Sequence, residues 1–206
     1  MLTTNAQWVA AQFDERRFHV DEVPAWGIHG LVEVRRHQEA VMRAWYAALL
    51  DIPLTRTMTV TDYGCGPQSL LLDREGDAEC YAVDPLRFTD EDEAIYANAG
   101  IKRAYVPAEK YVGPVTEEGW MYNCLQHTYD WKASLINACQ HTARTFRLFE
   151  WVDVPTDTLH LHTLRTDELC AVLSEQGFKS VNQLAGTFAK RGAWFSNFLA
   201  GVWDRA

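Results

Sequence analysis

The sequence predicts an α/β fold: a doubly wound, mostly parallel seven-stranded sheet of Rossmann-like type, carrying an N-terminal helical cap. Three observations predict it. From Thr57 onward, short β-branched or apolar runs alternate with helical stretches, which implies right-handed crossovers and a parallel sheet. The first of these runs breaks at a glycine-rich turn, Gly64-Cys65-Gly66. The first fifty residues, in contrast, read as helical.

Taken in order, Leu31, Val34, Val41, Met42, Trp45, Leu49 and Leu50 recur at helical spacing, with Glu33, Arg35, Arg36 and Arg43 between them. Pro53 stops that helix, because it lacks an amide hydrogen and restricts the residue before it. The chain therefore divides into a cap, 1–53, and one compact ligand-binding unit, 54–206. Strands are expected at Thr57–Tyr63, Glu79–Val83, Arg103–Val106, Trp120–Cys124 and Thr145–Trp151. The turn after the first strand is expected to lead into an apolar helix. A second helix is expected over Trp131–Ala143. A third is capped by Thr166, has Asp167 and Glu168 in its first turn, and stops at Gly177. Lys179–Ala185 and Ala193–Val202 complete the sheet, paired through Lys190-Arg191-Gly192.

Composition excludes several functions. With 206 residues, 48% hydrophobic and 23% charged, the chain suits a single globular domain. The net charge of −9 repels phosphate backbones, and the basic doublets Arg16-Arg17, Arg35-Arg36 and Lys102-Arg103 form no stripe, so no nucleic acid is expected as a partner. No apolar run approaches the ~20 residues of a bilayer span, and no secretory leader is expected, so the reading is cytoplasmic with no membrane partner. The five cysteines (Cys65, Cys80, Cys124, Cys139, Cys170) are odd in number, scattered and free of C-x-x-C pairs, which disfavours a zinc site or a disulfide framework. The acidic run Thr89–Glu93 reads as a solvated face or a helix N-terminus. His160 and His162 would share a face near Asp153 and Asp157, but no third ligand has motif spacing, so no metal is expected.

In doubly wound sheets, ligands bind at the carboxyl ends of the strands where the strand order reverses. Gly64 and Gly66 permit a tight turn and bring bare backbone to a ligand. A dinucleotide fingerprint would place glycine or alanine at position 69, where Ser69 stands, and rarely has an acid where Asp62 stands. An acid suits a cationic ligand and opposes a pyrophosphate. Asp84, at the tip of the second strand, offers two acceptor oxygens to a ribose diol.

On these residues the stretch from about Met58 to Phe178 resembles the class I S-adenosylmethionine-dependent methyltransferases. Asp62–Pro67 resembles the first motif of that family and Val83-Asp84-Pro85 the second. Asn123-Cys124-Leu125-Gln126-His127 resembles the segment after the fourth strand, and His160–Leu164 with Thr166–Leu169 and Gly177-Phe178 is similar to the approach to the last helix. The resemblance implies S-adenosyl-L-methionine as cofactor, S-adenosyl-L-homocysteine as its product, and residues 54–206 as the unit that binds it. It places Gly64, Cys65, Gly66, Pro67 and Gln68 beneath the methionine part, Asp62 near its amino group directly or through water, and Asp84 with Pro85 at the ribose. Leu86, Ala108 and Glu109 would border the adenine, and Asn123 and Leu125 the sulfur end.

The chain departs from the family pattern at Gln68, where many members have a third glycine, at Pro107, where an acid often meets the adenine, and at His141–Arg144, which replaces a Pro-Gly-Gly turn. The implied reaction is methyl transfer to a small molecule with a hydroxyl, amine or carboxylate acceptor, such as a sugar or natural-product intermediate. His127 is the candidate general base, since imidazole titrates near neutrality; the alternative is that it only caps a helix or packs against the cofactor. Phe18, Trp26 and His29, around Pro24–Gly30, are candidates for the acceptor pocket, against simple core packing. Two other readings stand beside this one. The departures suit a non-catalytic binding module, and the G-x-G turn suits a nicotinamide-dependent oxidoreductase, which Asp62 and Ser69 disfavour. Nucleic-acid methylation lacks its Asp-Pro-Pro-Tyr or Pro-Cys signature.

Overall fold

The computed structural model describes residues 3–17, 19, 43–53, 55–190 and 194–206. Its strands are β1 (Val60–Tyr63), β2 (Cys80–Val83), β3 (Lys102–Ala104), β4 (Thr116–Tyr122), β5 (Thr142–Val152), β6 (Phe178–Lys190) and β7 (Trp194–Arg205). They form one seven-stranded sheet in the order β3-β2-β1-β4-β5-β7-β6. β1 to β5 pair in parallel, whereas β7 lies antiparallel between β5 and β6. The order reverses between β1 and β4, and a crevice opens there at the carboxyl ends of the strands. The helices are α1 (Asn5–Arg17), α2 (Asp90–Asn98), α3 (Trp131–Gln140) and α4 (Thr166–Glu175), and residues 43–49 are also helical.

Alternation along the strands builds a core on each face of the sheet. Met121, Phe146 and Leu148 face one side with Leu135 and Ala138 of α3 and Leu169 and Leu173 of α4. Trp120, Tyr122 and Phe149 face the other with Tyr46, Ala47 and Leu50. Residues 46–52 thus pack directly on the sheet. A buried ion pair fixes them there. Arg147 donates from Nε and Nη2 to Glu118 at 2.9 and 3.1 Å, and its Nη1 donates to the carbonyls of Leu50 and Asp51, each at 2.7 Å. The acidic run opens α2: Thr89 and Asp92 form a reciprocal capping box, and the acids meet the positive end of the helix dipole.

Several expectations change. The apolar helix after the glycine turn shrinks to one 3-10 turn, Leu70–Asp73. Ser69 caps it by accepting from Leu71 N at 3.0 Å, but Arg74 is already extended and Glu75 pairs with Thr55 in a bridge. Gly76, at φ +134°, packs so closely on the Arg56 backbone that a Cβ would overlap it. Thr166 does not cap α4: Arg165 occupies the cap position without a side-chain bond, and Thr166 is the first helical residue. β4 starts at Thr116, earlier than expected, because the Glu118 charge that masks it as a strand is met by Arg147. α3 ends at Gln140, and β5 begins at Thr142. α4 does stop before Gly177, which has φ +85°. Leu31, Val34, Val41 and Met42, and most of the Lys190-Arg191-Gly192 turn, lie outside the described residues. Cys65, Cys80, Cys124 and Cys139 are buried free thiols. Among the described residues no helix is long and apolar enough to cross a membrane.

Candidate functional site

The turns after β1, β2 and β4 and the segment after β3 meet in a cleft of about 1080 Å³, counting space open to solvent. Gly64 and Gly66 take φ +67° and +59°, which L side chains adopt at a cost. A Cβ on Gly64 would overlap Cys124, so this turn needs glycine to seat against the turn after β4. A Cβ on Gly66 would meet nothing within 4 Å. Asp84 braces the arrangement, since Gly66 N donates to its Oδ2 at 2.9 Å and Leu86 N to its Oδ1 at 2.8 Å. Burial raises the Asp84 pKa, and the Leu86 and Gly66 amides and Arg103 oppose that rise. Each carboxylate oxygen keeps a lone pair for a ligand.

The other expected residues divide. Cys65, Pro67, Gln68, Pro85, Leu86, Ala108, Glu109, Asn123 and His127 line the cleft together with Pro107. Asp62 and Leu125 are fully buried and do not line it. Asp62 lies beneath the turn, where its Oδ2 accepts from Ser69 Oγ and from Tyr122 OH at 2.7 Å. Burial pushes its pKa up to about 7 against those two bonds. Leu125 belongs to the core, although its amide helps to fix the turn after β4. Glu150 accepts from Cys124 N and Leu125 N, both at 3.0 Å, and burial lifts its pKa to about 7. Asn123 takes φ +52° and its Oδ1 accepts from Gln126 Nε2 at 3.2 Å. Glu109 Oε2 accepts from Ser134 Oγ at 2.9 Å. Phe18, Trp26 and His29 lie outside the described residues. His160 Nδ1 bonds Asp157 Oδ2 at 2.9 Å and His162 Nε2 bonds Thr128 O at 2.8 Å; among the described residues no cluster of three His, Cys, Asp or Glu side chains could hold a metal.

Sequence reasoning missed one whole wall of the cleft. Trp8, Gln12 and Glu15 line it from α1, and His19 from two residues beyond the helix. Their spacing of four, three and four puts them on one helical face, but the face mixes polar and apolar types and gives no amphipathic signal. α1 is fastened over the site at two points, mid-helix and near its C-terminal end. Gln12 Nε2 donates to His127 O at 3.1 Å, and Arg16 Nε donates to Arg87 O at 3.1 Å. Arg43 was also missed as a site residue. It lines the cleft, donates from Nη1 to Gln68 Oε1, and pairs through Nε with Asp73 Oδ2 at 2.6 Å. Gln68, which departs from the glycine pattern, therefore holds an arginine against the turn.

His127 Nδ1 lies 3.4 Å from Glu15 Oε2, within ion-pair reach but outside hydrogen-bond geometry. Burial lowers the His127 pKa, and the Glu15 charge opposes this. Glu15 is held at about 2: burial would raise it, but its His19 bond and the charges of His127, His19 and His160 together outweigh that effect.

The seven-stranded sheet, in the order β3-β2-β1-β4-β5-β7-β6, fits that of solved methyltransferases. The chain has the class I methyltransferase fold. It is similar to magnesium protoporphyrin IX methyltransferase from Synechocystis PCC 6803, solved with bound SAM, at 18% identity and TM-score 0.64, covering 96% of this chain and 97% of that one. It is similar also to the 1,6-didemethyltoxoflavin-N1-methyltransferase of Burkholderia thailandensis, with bound 1,6-didemethyltoxoflavin and S-adenosylhomocysteine, at 16% identity and TM-score 0.67, covering 100% and 92%. A third likeness, at 11% identity and TM-score 0.67 covering 100% and 97%, is a 4+2 cyclase, SpnF. No protein-family model and no curated relative matches the sequence.

Proposed function

We propose that this chain binds S-adenosyl-L-methionine in the cleft and transfers its methyl group to a small molecule through a hydroxyl, amine or carboxylate acceptor. The observation that carries the reading is Gly66, whose open side faces no protein atom while its amide is tied to the Asp84 carboxylate at the reversal of strand order. A bound ligand there meets bare backbone and a ribose-binding acid at once. Glu15, Asp84 and Glu109 give the lining an acidic character that suits a ligand carrying an ammonium and a sulfonium. Arg43 is placed on the same wall as the Gly64–Gln68 turn and suits the ligand's carboxylate. With Asp62 sealed beneath the turn, the amino group falls to backbone carbonyls or to water.

When bound, the cofactor supplies an electrophilic methyl and departs as a neutral thioether. The protein's part is alignment and the exclusion of water, which α1 serves by covering the cleft. His127, on the turn after β4, is the group available to take a proton from the acceptor.

Because a cyclase shares this fold, turnover has to be measured directly. The test is incubation with methyl-labelled S-adenosylmethionine over a panel of hydroxyl, amine and carboxylate acceptors. Label should pass to at least one of them. His127→Ala should cut that transfer by about 10²-fold or more while leaving S-adenosylhomocysteine affinity within about threefold, an interval below 1 kcal/mol. Tight cofactor binding with no transfer across the panel would favour the binding-module reading.

A further inference from the structure

Three carboxylates line the cleft, and each enters from a different element. Glu109 follows β3, and its Oε2 accepts from Ser134 Oγ at 2.9 Å. Asp84 follows β2 and is tied to the Gly66 and Leu86 amides. Glu15 comes from α1, the helix that covers the cleft. One of its oxygens lies 3.4 Å from His127 Nδ1, on the turn after β4, and the other 3.1 Å from His19 Nε2. On the opposite side it reaches Asp84: burial raises the Asp84 pKa, and the negative charge of Glu15 adds to that rise. Glu15 therefore stands between the acid at the tip of β2 and the turn after β4. In S-adenosylmethionine the sulfur is bonded directly to the methylene of the ribose. An acid placed between a ribose-binding carboxylate and the β4 turn faces that sulfur.

The surroundings leave Glu15 its charge. Burial would raise its pKa, yet the His19 bond and the neighbouring histidines hold it at about 2, so it is ionised at neutral pH. Burial lowers the pKa of His127 against the Glu15 charge, which keeps that ring neutral. Arg16, the next residue of α1, donates to the carbonyls of Arg87 and Phe88 and does not line the cleft. Arg43 is the one arginine or lysine among the described residues that do line it, and it is engaged by Gln68 and Asp73.

We propose that Glu15 is a specificity-determining residue whose carboxylate favours the sulfonium of the methyl donor over the neutral thioether left after transfer, so that the cleft retains the donor and releases the product. The inference rests on the methyl-transfer reading and adds the charge state of ligand that the site selects. Transfer breaks a carbon–sulfur bond with its electron pair left on sulfur, while a lone pair of the acceptor bonds to the methyl carbon and the positive charge moves to the acceptor. Glu15 then faces an uncharged sulfur and attracts it no longer. Beneath α1, with water largely displaced, that difference in attraction is larger than it would be in solvent. Adenine, ribose and the amino-acid end are common to donor and product, so their contacts cancel in the ratio of the two affinities.

The test is calorimetric titration of the whole protein with S-adenosylmethionine and, separately, S-adenosylhomocysteine, at about pH 8, above the ordinary imidazole range. Glu15→Gln should lower the affinity for the first relative to the second by at least about fivefold, with the affinity for S-adenosylhomocysteine held. Glu15→Asp, which keeps the charge, should stay nearer to the wild-type ratio than Glu15→Gln. A ratio that Glu15→Gln leaves unchanged would overturn the proposal. So would a loss of both ligands together, which would make Glu15 a ribose contact or a support for α1. Failure of the wild type to bind either ligand removes the methyl-transfer reading itself, whereas normal wild-type binding with an unmoved ratio removes only the role of Glu15.

Discussion

Replacing Gly66 by alanine separates the work of the turn in folding from its work in binding. At φ +59° a non-glycine residue costs about 1–2 kcal/mol. Nothing within 4 Å opposes the new methyl, so no steric cost is added. For a chain of this size that is a fall in Tm of about 2–4 °C per kcal/mol. Gly64→Ala carries the same backbone cost at φ +67°, and its methyl would also overlap Cys124, with the Sγ only 2.7 Å away. Overpacking of that kind adds about 1–3 kcal/mol. Gly64→Ala should therefore be the less stable protein, and Gly66→Ala should fold yet bind S-adenosylhomocysteine at least about tenfold more weakly, or about 1.4 kcal/mol. Thermal unfolding and calorimetric titration of the two variants measure both effects. A Gly66→Ala protein that binds as tightly as the wild type would refute the reasoning, since its methyl would then not face the ligand.

Two further predictions concern the frame around the site. Burial holds the folded Glu150 carboxyl near 7 rather than 4.5, so the folded state binds that proton more tightly than the unfolded chain. The associated stability is complete below about pH 4.5 and is lost as pH rises through 7, a difference of about 3 kcal/mol. Glu150→Gln should remove that part of the loss between pH 5 and 8.5 in urea denaturation, and an unchanged slope would contradict the assignment. Arg147→Ala leaves Glu118 buried without its partner and frees the carbonyls of Leu50 and Asp51. Urea denaturation should register a loss of about 3–5 kcal/mol, and a loss under 1 kcal/mol would mean that residues 46–52 are held by apolar packing alone.

The sheet was legible because its strands alternate with helices and end in marked residues: Gly64 after β1, Asp84 after β2 and Asn123 after β4. Those three positions are also where the cleft forms, so many of the residues that line it could be read in advance. The shortened helix after the turn could not, because it depends on Glu75 pairing with Thr55 and on Gly76 packing against Arg56, contacts invisible to local periodicity. Asp62 was read by its position two residues before the first glycine. Its sequestration depends on Tyr122 and Ser69, which approach only in the folded sheet. The α1 wall escaped for a different reason. Trp8, Gln12, Glu15 and His19 are placed by a helix that docks far along the chain, at His127, Arg87 and Phe88. Arg43 likewise acquires its meaning only through Gln68, 25 positions away.

The central claim is that this cleft accommodates a nucleoside bearing a methionine-type amino acid and no phosphate-bearing one. Calorimetric titration of the purified protein with S-adenosylhomocysteine and, separately, with NAD tests it most directly, with Asp84→Ala run in parallel. The account predicts saturable binding of the first ligand, no binding of the second, and a loss of at least about tenfold in affinity on removing the Asp84 carboxylate. Binding of NAD in its place, or no binding of S-adenosylhomocysteine at all, would contradict it.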